Sequence, residues 1–149
     1  MSVDLRDLGV SAAEVRAALG LEAHPEGGHY RETWRDVAEG GGRGVGTAIL
    51  FVLEAGERSR WHRVDAAELW LWQAGAALAL GISEDGVAAR EVRLGPDLGA
   101  GEVMQGVVPA MAWQAARSLG ARTLVSCVVA PAFRFEGFEM AAEGWAPGE

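Results

Sequence analysis

The chain has 149 residues, a length typical of one domain, and a formal net charge of −8. That charge repels phosphate backbones and anionic membrane faces, which argues against nucleic acid and lipid surfaces as partners. All 13 basic residues are arginine, so the Schiff-base and phosphate-loop chemistry that lysine performs is excluded.

One helix is predicted near the start of the chain. Ser11 can cap its first turn, and Glu14 stands three residues later, where it completes a capping box. Val15 and Leu19 then lie one helical turn apart, and Gly20 suits the end of the helix. The sequence therefore predicts a short helix from Ser11 to Leu19.

Beyond this helix the chain has the pattern of short strands separated by turn residues. Apolar or alternating segments cover residues 47–54, 68–73, 77–83, 87–94, 103–108, 112–117 and 122–129. Glu84, Asp85 and Gly86 separate two of these segments and form a hairpin signal. The pattern lacks the helices that a parallel sheet would need between its strands. We predict an all-β sandwich or barrel in one domain spanning residues 1–149.

Two features bear on the compartment. Cys127 is the only cysteine and lies in an apolar segment, so we predict a buried thiol and no internal disulfide. Asp4, Arg6 and Asp7 stand where a secretory signal would be apolar, and no stretch reaches the ~18 apolar residues of a membrane span. A cytoplasmic protein is the expectation.

A candidate site is centred on residues 60–72. Side chains two apart in a strand share a face, so Arg60 is expected to point the same way as His62. On the next strand Glu68 would share a face with Trp70 and Trp72. An imidazole, a carboxylate, a guanidinium and two indoles would then surround one small-ligand pocket. The alternative is an ordinary hydrogen-bonded histidine, a surface carboxylate and two core tryptophans.

A second group of polar residues precedes it. His24 and Glu26 lie in a segment whose two following glycines permit a tight turn or a close approach to a ligand. Tyr30 is on the strand that follows and is a further candidate acid or base. The alternative places His24 and Glu26 in an exposed loop, and we expect His29 to be exposed.

The spacing of four residues, Gly56, His62, Glu68 and Gly75, resembles the first motif of the cupin proteins. Residues 109–114 resemble the second motif in weaker form, with Gln114 where that motif has histidine. Segments 24–33, 59–65, 108–114 and 130–139 are similar to the uncharacterised group called cupin five, and the likeness covers about residues 13–140.

The resemblance implies a double-stranded β-helix barrel, or jelly roll, with one short N-terminal helix. It also implies a pocket around His62, Glu68 and Gln114, and a homodimer. The cupin five group has no established general activity, so the resemblance does not identify a substrate.

The sequence supplies only two of the four usual ligands of the cupin metal site. Metal-dependent cupins usually supply three histidines and one glutamate, but Val64 and Gln114 stand at two of the histidine positions. His62 and Glu68 remain, whereas stable sites typically use three or four protein ligands. We expect no cofactor and no tightly bound metal. A divalent metal at His62, Glu68 and Gln114 would be held weakly.

Three functions stay open. The first is a small-molecule-binding protein in which Trp70 or Trp72 stacks on the ligand while Gln114 and Glu68 contact its polar edges. The second is an acid–base isomerase or epimerase acting on a small polar or sugar-nucleotide-like substrate. The third is a metal-dependent oxygenase, which Val64 and Gln114 disfavour.

The enzymatic alternative assigns a role to each polar residue. His62 would be the general base, Glu68 would orient it, and Arg60 would hold an anionic group of the substrate. Tyr30 would be a second candidate base, and His24 and Glu26 would contact the ligand.

Overall fold

A computed structural model describes residues 2–148, which form one α-helix and two antiparallel sheets. The helix, α1, spans Ala12–Leu19. The strands in chain order are β1 (Glu22–Ala23), β2 (His29–Arg35), β3 (Thr47–Glu54), β4 (Arg58–Val64), β5 (Ala67–Gly75), β6 (Leu78–Ser83), β7 (Arg90–Leu94), β8 (Gln105–Val108), β9 (Trp113–Ser118), β10 (Arg122–Ala130) and β11 (Phe138–Met140).

The two sheets face each other and make the jelly-roll barrel that was predicted. One sheet has six strands in the order β1-β2-β3-β10-β5-β8, and the other has five in the order β11-β4-β9-β6-β7. Strands β4 and β5 follow each other in the chain but lie in different sheets. Residues 62 and 68 therefore approach the barrel interior from opposite walls.

The core lies between the sheets and follows from the alternation of apolar residues along each strand. In β6, Leu78, Leu80 and Ile82 face inward and are fully or almost fully buried. Phe51 and Trp70 meet them from the opposite sheet. Each such side chain contributes roughly 1.5–3 kcal/mol when it is removed from water.

The apolar segment of strand β10 does not alternate with polar residues, because this strand is covered on both faces. Val125 and Cys127 face the barrel core, whereas Leu124 packs under α1 with Val15 and Val52. Cys127 is buried, as predicted.

The predicted helix and its capping box are confirmed. The Ser11 hydroxyl accepts a hydrogen bond from the Glu14 amide at 3.1 Å, and the Ser11 amide donates to Glu14 Oε2 at 2.8 Å. Gly20 ends the helix in the left-handed conformation, with a φ of 67°.

Two predicted strands start clearly later than expected, and the segment predicted as 103–108 becomes a strand only at Gln105. The segment predicted as 87–94 begins as a strand only at Arg90. The Asp85 carboxylate accepts hydrogen bonds from the amides of Val87 and Ala88, both at 2.9 Å, which holds these residues in the turn. Strands β1 and β11 were not predicted, because two or three residues are too few to show a period. Within residues 2–148, no helix has the length and apolar character needed to cross a membrane.

Candidate functional site

A cavity of about 60 Å³ opens at one end of the barrel. Its lining is made of His24, Glu26, Tyr30, Glu32, Arg35, Thr47, Ile49, His62, Val64, Glu68, Cys127, Val129, Phe133, Phe135 and Phe138. The polar groups His62, Glu26 and Glu68 are buried, whereas the side chain of Phe135 is 57 % exposed. The cavity is thus polar at its inner end and aromatic at its mouth.

An irregularity in β4 brings His62 to this cavity and takes Arg60 away from it. The pairing of β4 with β9 shifts register between Ser59 and His62, so both of these residues face inward although they are three apart. Arg60 is consequently exposed on the outside of the barrel. The prediction that Arg60 lines the pocket is wrong, because it assumed an unbroken two-residue period.

His62 is held as an imidazolium by bonds to both ring nitrogens. Its Nε2 donates to Glu26 Oε2 at 2.8 Å, and its Nδ1 donates to the carbonyl oxygen of Arg60 at 2.6 Å. Burial lowers the pKa of His62, but the charge and the hydrogen bond of Glu26, the charge of Glu68 and the hydrogen bond to the Arg60 carbonyl together outweigh burial and raise this pKa to about 9. With both nitrogens protonated and occupied, His62 has no lone pair with which to act as a base.

Glu26 reaches His62 from a tight loop, residues 24–28. The His24 amide donates to the carbonyl of Gly28 at 2.9 Å, and the Arg60 amide donates to the carbonyl of Glu26 at 2.7 Å. Gly27 has a φ of 109°, and a Cβ there would collide with the carbonyl of Arg58, so only glycine lets the loop lie against β4.

The alternative of an exposed loop is wrong for Glu26, which is buried. Burial raises its pKa, but the charge and the hydrogen bond of His62, together with smaller contributions from His24 and Ser59, outweigh burial and leave the pKa of Glu26 below its ordinary value. The carboxylate and the imidazolium form a buried, net-neutral pair.

His24 and Tyr30 form one side of the cavity. The Glu26 amide donates to His24 Nδ1 at 3.1 Å, and burial lowers the pKa of His24, so this ring is neutral. Its ring centroid is 4.5 Å from that of Tyr30 in an edge-on contact. Burial, together with nearby carboxylates, raises the pKa of Tyr30, which makes the phenol a poor base.

His29, which was predicted to be exposed, is half-buried because β2 begins there and pairs with β3. Its Nδ1 lies 3.8 Å from Glu57 Oε2, and the residue does not line the cavity.

Two consecutive hydrogen bonds hold the side chain of Glu68 on the side away from the cavity. Gln114 Nε2 donates to Glu68 Oε1 at 3.0 Å, and the indole of Trp70 donates to Gln114 Oε1 at 2.7 Å. Burial and the charge of Glu26 raise the pKa of Glu68 to about 7. Glu68 can therefore gain or lose a proton near neutral pH.

Gln114, Trp70 and Trp72 were predicted to contact a ligand, but they do not line the cavity. Gln114 and Trp70 are buried behind Glu68. Trp72 turns its indole to the carbonyl of Ala76 at 3.0 Å. The tryptophans belong to the core and its margin because β5 presents only Glu68 at the open end of the barrel.

Several lining residues were missed from the sequence. Phe133, Phe135 and Phe138 form the aromatic mouth, with ring centroids 5.1–6.2 Å apart. Their one signal was the cupin-like segment 130–139. Cys127 was predicted as a buried thiol and also lines the cavity, and burial together with Glu68 raises its pKa well above the ordinary value.

The donor atoms do not fit a cupin metal centre. Both nitrogens of His62 are already bonded, and Val64 offers no donor. The Trp70 indole can only donate, so it fixes the amide oxygen of Gln114 toward itself and presents the Gln114 NH₂ group to Glu68. An NH₂ group cannot ligate a cation. Among residues 2–148, no cluster of three histidine, cysteine or acidic side chains is arranged to hold a metal ion.

The comparisons with known proteins agree with the geometry of this barrel. Residues 13–141 match the family described as Cupin superfamily (DUF985). The chain belongs to this family. A search of curated proteins gave no significant match to this cupin.

Two solved structures resemble this cupin along almost its whole length. A protein from Shewanella oneidensis is 34 % identical, with a TM-score of 0.84 over 89 % of this chain and 85 % of that one. A hypothetical protein from Leishmania major is 29 % identical, with a TM-score of 0.81 over 91 % of this chain and 89 % of that one.

More distant structures share the fold alone. Oxalate decarboxylase from Bacillus subtilis is 15 % identical, with a TM-score of 0.62 over 79 % of this chain and 29 % of that one.

Proposed function

We propose that this cupin binds a small molecule in the barrel cavity, with the polar end of the ligand at Glu68 and its apolar part between the phenylalanines. The observation that carries the proposal is the meeting of a buried, titratable carboxyl group and an aromatic mouth in one cavity. Binding pockets combine apolar walls with a few convergent polar groups in this way.

The charges of the cavity favour a neutral or cationic ligand. His62 and Glu26 neutralise each other, and Arg60 faces away. The guanidinium of Arg35, at the mouth of the cavity, donates two hydrogen bonds of 2.8 Å to Glu32 and one to the carbonyl of Phe133. Among residues 2–148, no guanidinium that lines the cavity is left to bind a carboxylate or phosphate, which disfavours the anionic substrate considered from the sequence.

The volume limits the ligand further. About 60 Å³ holds a few water-sized groups, so the cavity suits a small molecule or one end of a larger one. A whole nucleotide would have to extend through the mouth past Phe135.

Thermal shift measurements test this proposal, since a ligand that binds only the folded state raises the melting temperature. The panel comprises small alcohols, amines, sugars and nucleobases. A ligand of the cavity should stabilise the wild type and the Glu136→Gln control, and lose its effect in Glu68→Gln. If every stabilising compound acts equally on Glu68→Gln, the ligand does not contact the proposed group.

A second candidate function is proton transfer by Glu68. The pKa of about 7 favours it, since a general acid or base works best when its pKa is near the working pH. Glu68, rather than His62 or Tyr30, would be the base. Incubating the ligands found above in D₂O tests this: the wild type should exchange a carbon-bound hydrogen of the ligand, and Glu68→Gln should not. Absence of exchange for all bound ligands would leave a binding protein.

A further inference from the structure

A second cleft, on the outside of the five-stranded sheet, is independent of the barrel cavity. It has a volume of about 240 Å³ and lies between strands β4 and β9 and the C-terminal segment 141–146. Its characteristic side chains are Arg58, Arg60, Trp61 and Trp145. We call it the outer cleft.

The outer cleft concentrates positive charge on a chain whose net charge is −8. Arg58 and Arg60 are exposed, and no acidic side chain within residues 2–148 lies in ion-pair distance of either. Arg58 is also directly opposite Arg117 in the β4–β9 ladder, and like charges in opposed positions destabilise a sheet. Arg117 has Glu91 at 3.8 Å, which leaves Arg58 as the uncompensated member of the pair.

Indole rings form the other wall and are held in place. Trp61 lies over Gly81, where an added Cβ would come within 2.9 Å of the ring, so the glycine makes room for the indole. Trp145 contacts Trp61 with ring centroids 6.2 Å apart and Trp113 with centroids 4.9 Å apart. The Ala141 amide donates to the carbonyl of Trp61 at 3.0 Å, which ties the C-terminal segment to β4.

We propose that the outer cleft binds a small aromatic anion. Its flat ring would lie against Trp61 and Trp145, and its acidic group would be bound by Arg58 and Arg60. Guanidinium groups bind carboxylate and phosphate through paired hydrogen bonds, and indoles present rigid apolar faces. The volume suits one ring system with its acidic group, which can be a carboxylate or a phosphate.

Titrations followed by the indole N–H resonances of the six tryptophans test this proposal. The probes are adenosine monophosphate and 4-hydroxybenzoate, with adenosine and phenol as matched compounds without the acidic group. A bound probe should shift the resonances of Trp61 and Trp145. The resonance of Trp70, which is buried in the core, should stay unchanged. Binding by one acidic probe alone would still support the site and would identify its anion as phosphate or carboxylate.

Variants separate the cleft from other sites. Arg58→Gln/Arg60→Gln should weaken binding at least tenfold, as expected for losing charge-assisted hydrogen bonds, whereas the exposed control Arg90→Gln should leave it unchanged. If the double variant does not fold, Arg60→Gln alone gives the same test. The proposal is overturned if neither acidic probe shifts Trp61 and Trp145, if the acidic probes and their matched compounds bind equally, or if the arginine variants bind like the wild type.

Discussion

Nε2 of His62 lies 2.8 Å from Oε2 of Glu26, and both side chains are almost entirely buried. The partner of His62 is therefore Glu26 from the preceding loop and not Glu68 from the facing strand. This pair keeps the imidazole charged and leaves Glu68 as the group of the cavity that titrates near neutrality.

The His62–Glu26 pair predicts a loss of stability at alkaline pH. The pKa of His62 rises from 6.5 to about 9 on folding, so its contribution is complete below 6.5 and is lost as the pH rises through 9. The raised pKa contributes on the order of 3 kcal/mol to the free energy of unfolding, and this contribution is lost at alkaline pH. Glu26→Gln should abolish this dependence and move the titration of His62 below 6.5, as measured by NMR and by urea unfolding. Glu136→Gln should behave like the wild type, and an unchanged His62 titration in Glu26→Gln would contradict the assignment.

Glu68 predicts a second dependence at lower pH. Its pKa is raised from 4.5 to about 7 on folding, so the carboxyl favours the folded state when protonated, and this advantage disappears as the pH rises from 4.5 through 7. Glu68→Gln cannot ionise. Relative to the wild type, it should gain stability at pH 8 and change little at pH 4.5, as followed by unfolding at both pH values. If the free energies of unfolding of the two proteins differ by the same amount at both pH values, the pKa of Glu68 is not raised on folding.

The donor geometry predicts that the wild type does not depend on a transition metal. Stripping with a chelator should leave the melting temperature nearly unchanged, because a structural metal adds its binding free energy to folding. The double variant Val64→His/Gln114→His offers a contrast, since it restores two imidazoles and should gain stability with Ni²⁺ or Mn²⁺. Near-stoichiometric metal by plasma emission from the wild type, with a large loss of melting temperature on chelation, would overturn this prediction.

Met111 carries backbone strain in the turn before β9. It stands where the second cupin motif has glycine, and its φ of 68° is in the left-handed region. Because the side chain is about half exposed, little packing is lost in Met111→Gly. The variant should stabilise the protein by roughly 0.5 kcal/mol, because relief of the left-handed strain exceeds the entropy that glycine adds to the unfolded chain. Ala110→Gly, the neighbouring control, should destabilise it slightly through the unfolded chain. A lower melting temperature for Met111→Gly would mean that the side chain makes an unrecognised contact.

The homodimer implied by the family resemblance stays a prediction. The outer face of the six-stranded sheet carries apolar side chains, among them Leu69, Leu71 and Val128 on neighbouring strands and Val107, which is 57 % exposed. Val107→Arg places a charge in this face and should shift a dimer toward monomer in light scattering. Val87→Arg, at a still more exposed valine elsewhere, is the control. A wild-type monomer at micromolar and higher concentrations would end the prediction.

The barrel and its strands could be predicted from the sequence because their signals are local. The apolar segments and the capping box of Ser11 and Glu14 each need only a few neighbouring residues, and the motif spacing located His62 and Glu68. Burial of Cys127 followed from the continuous apolar run of β10, which is covered on both faces.

The errors arose where position depends on distant or irregular structure. The register shift between Ser59 and His62 turned Arg60 outward, and no sequence period reveals such a shift. Glu26 meets His62 only because the loop folds onto β4. Gln114 hydrogen-bonds Glu68 from the facing sheet, and this contact is visible only once the barrel is closed.

Because Glu26 lies on a loop, the charge of His62 can change among related chains while the barrel stays the same. The residue that sets the charge of His62 lies on a short loop outside the strands, held by Gly27 and by one backbone bond to Arg60. Substitution within that loop can turn the imidazolium into a neutral imidazole, with a free lone pair, while the barrel keeps its strands and core. A single fold can thus carry a charged, inert histidine in one relative and a basic one in another.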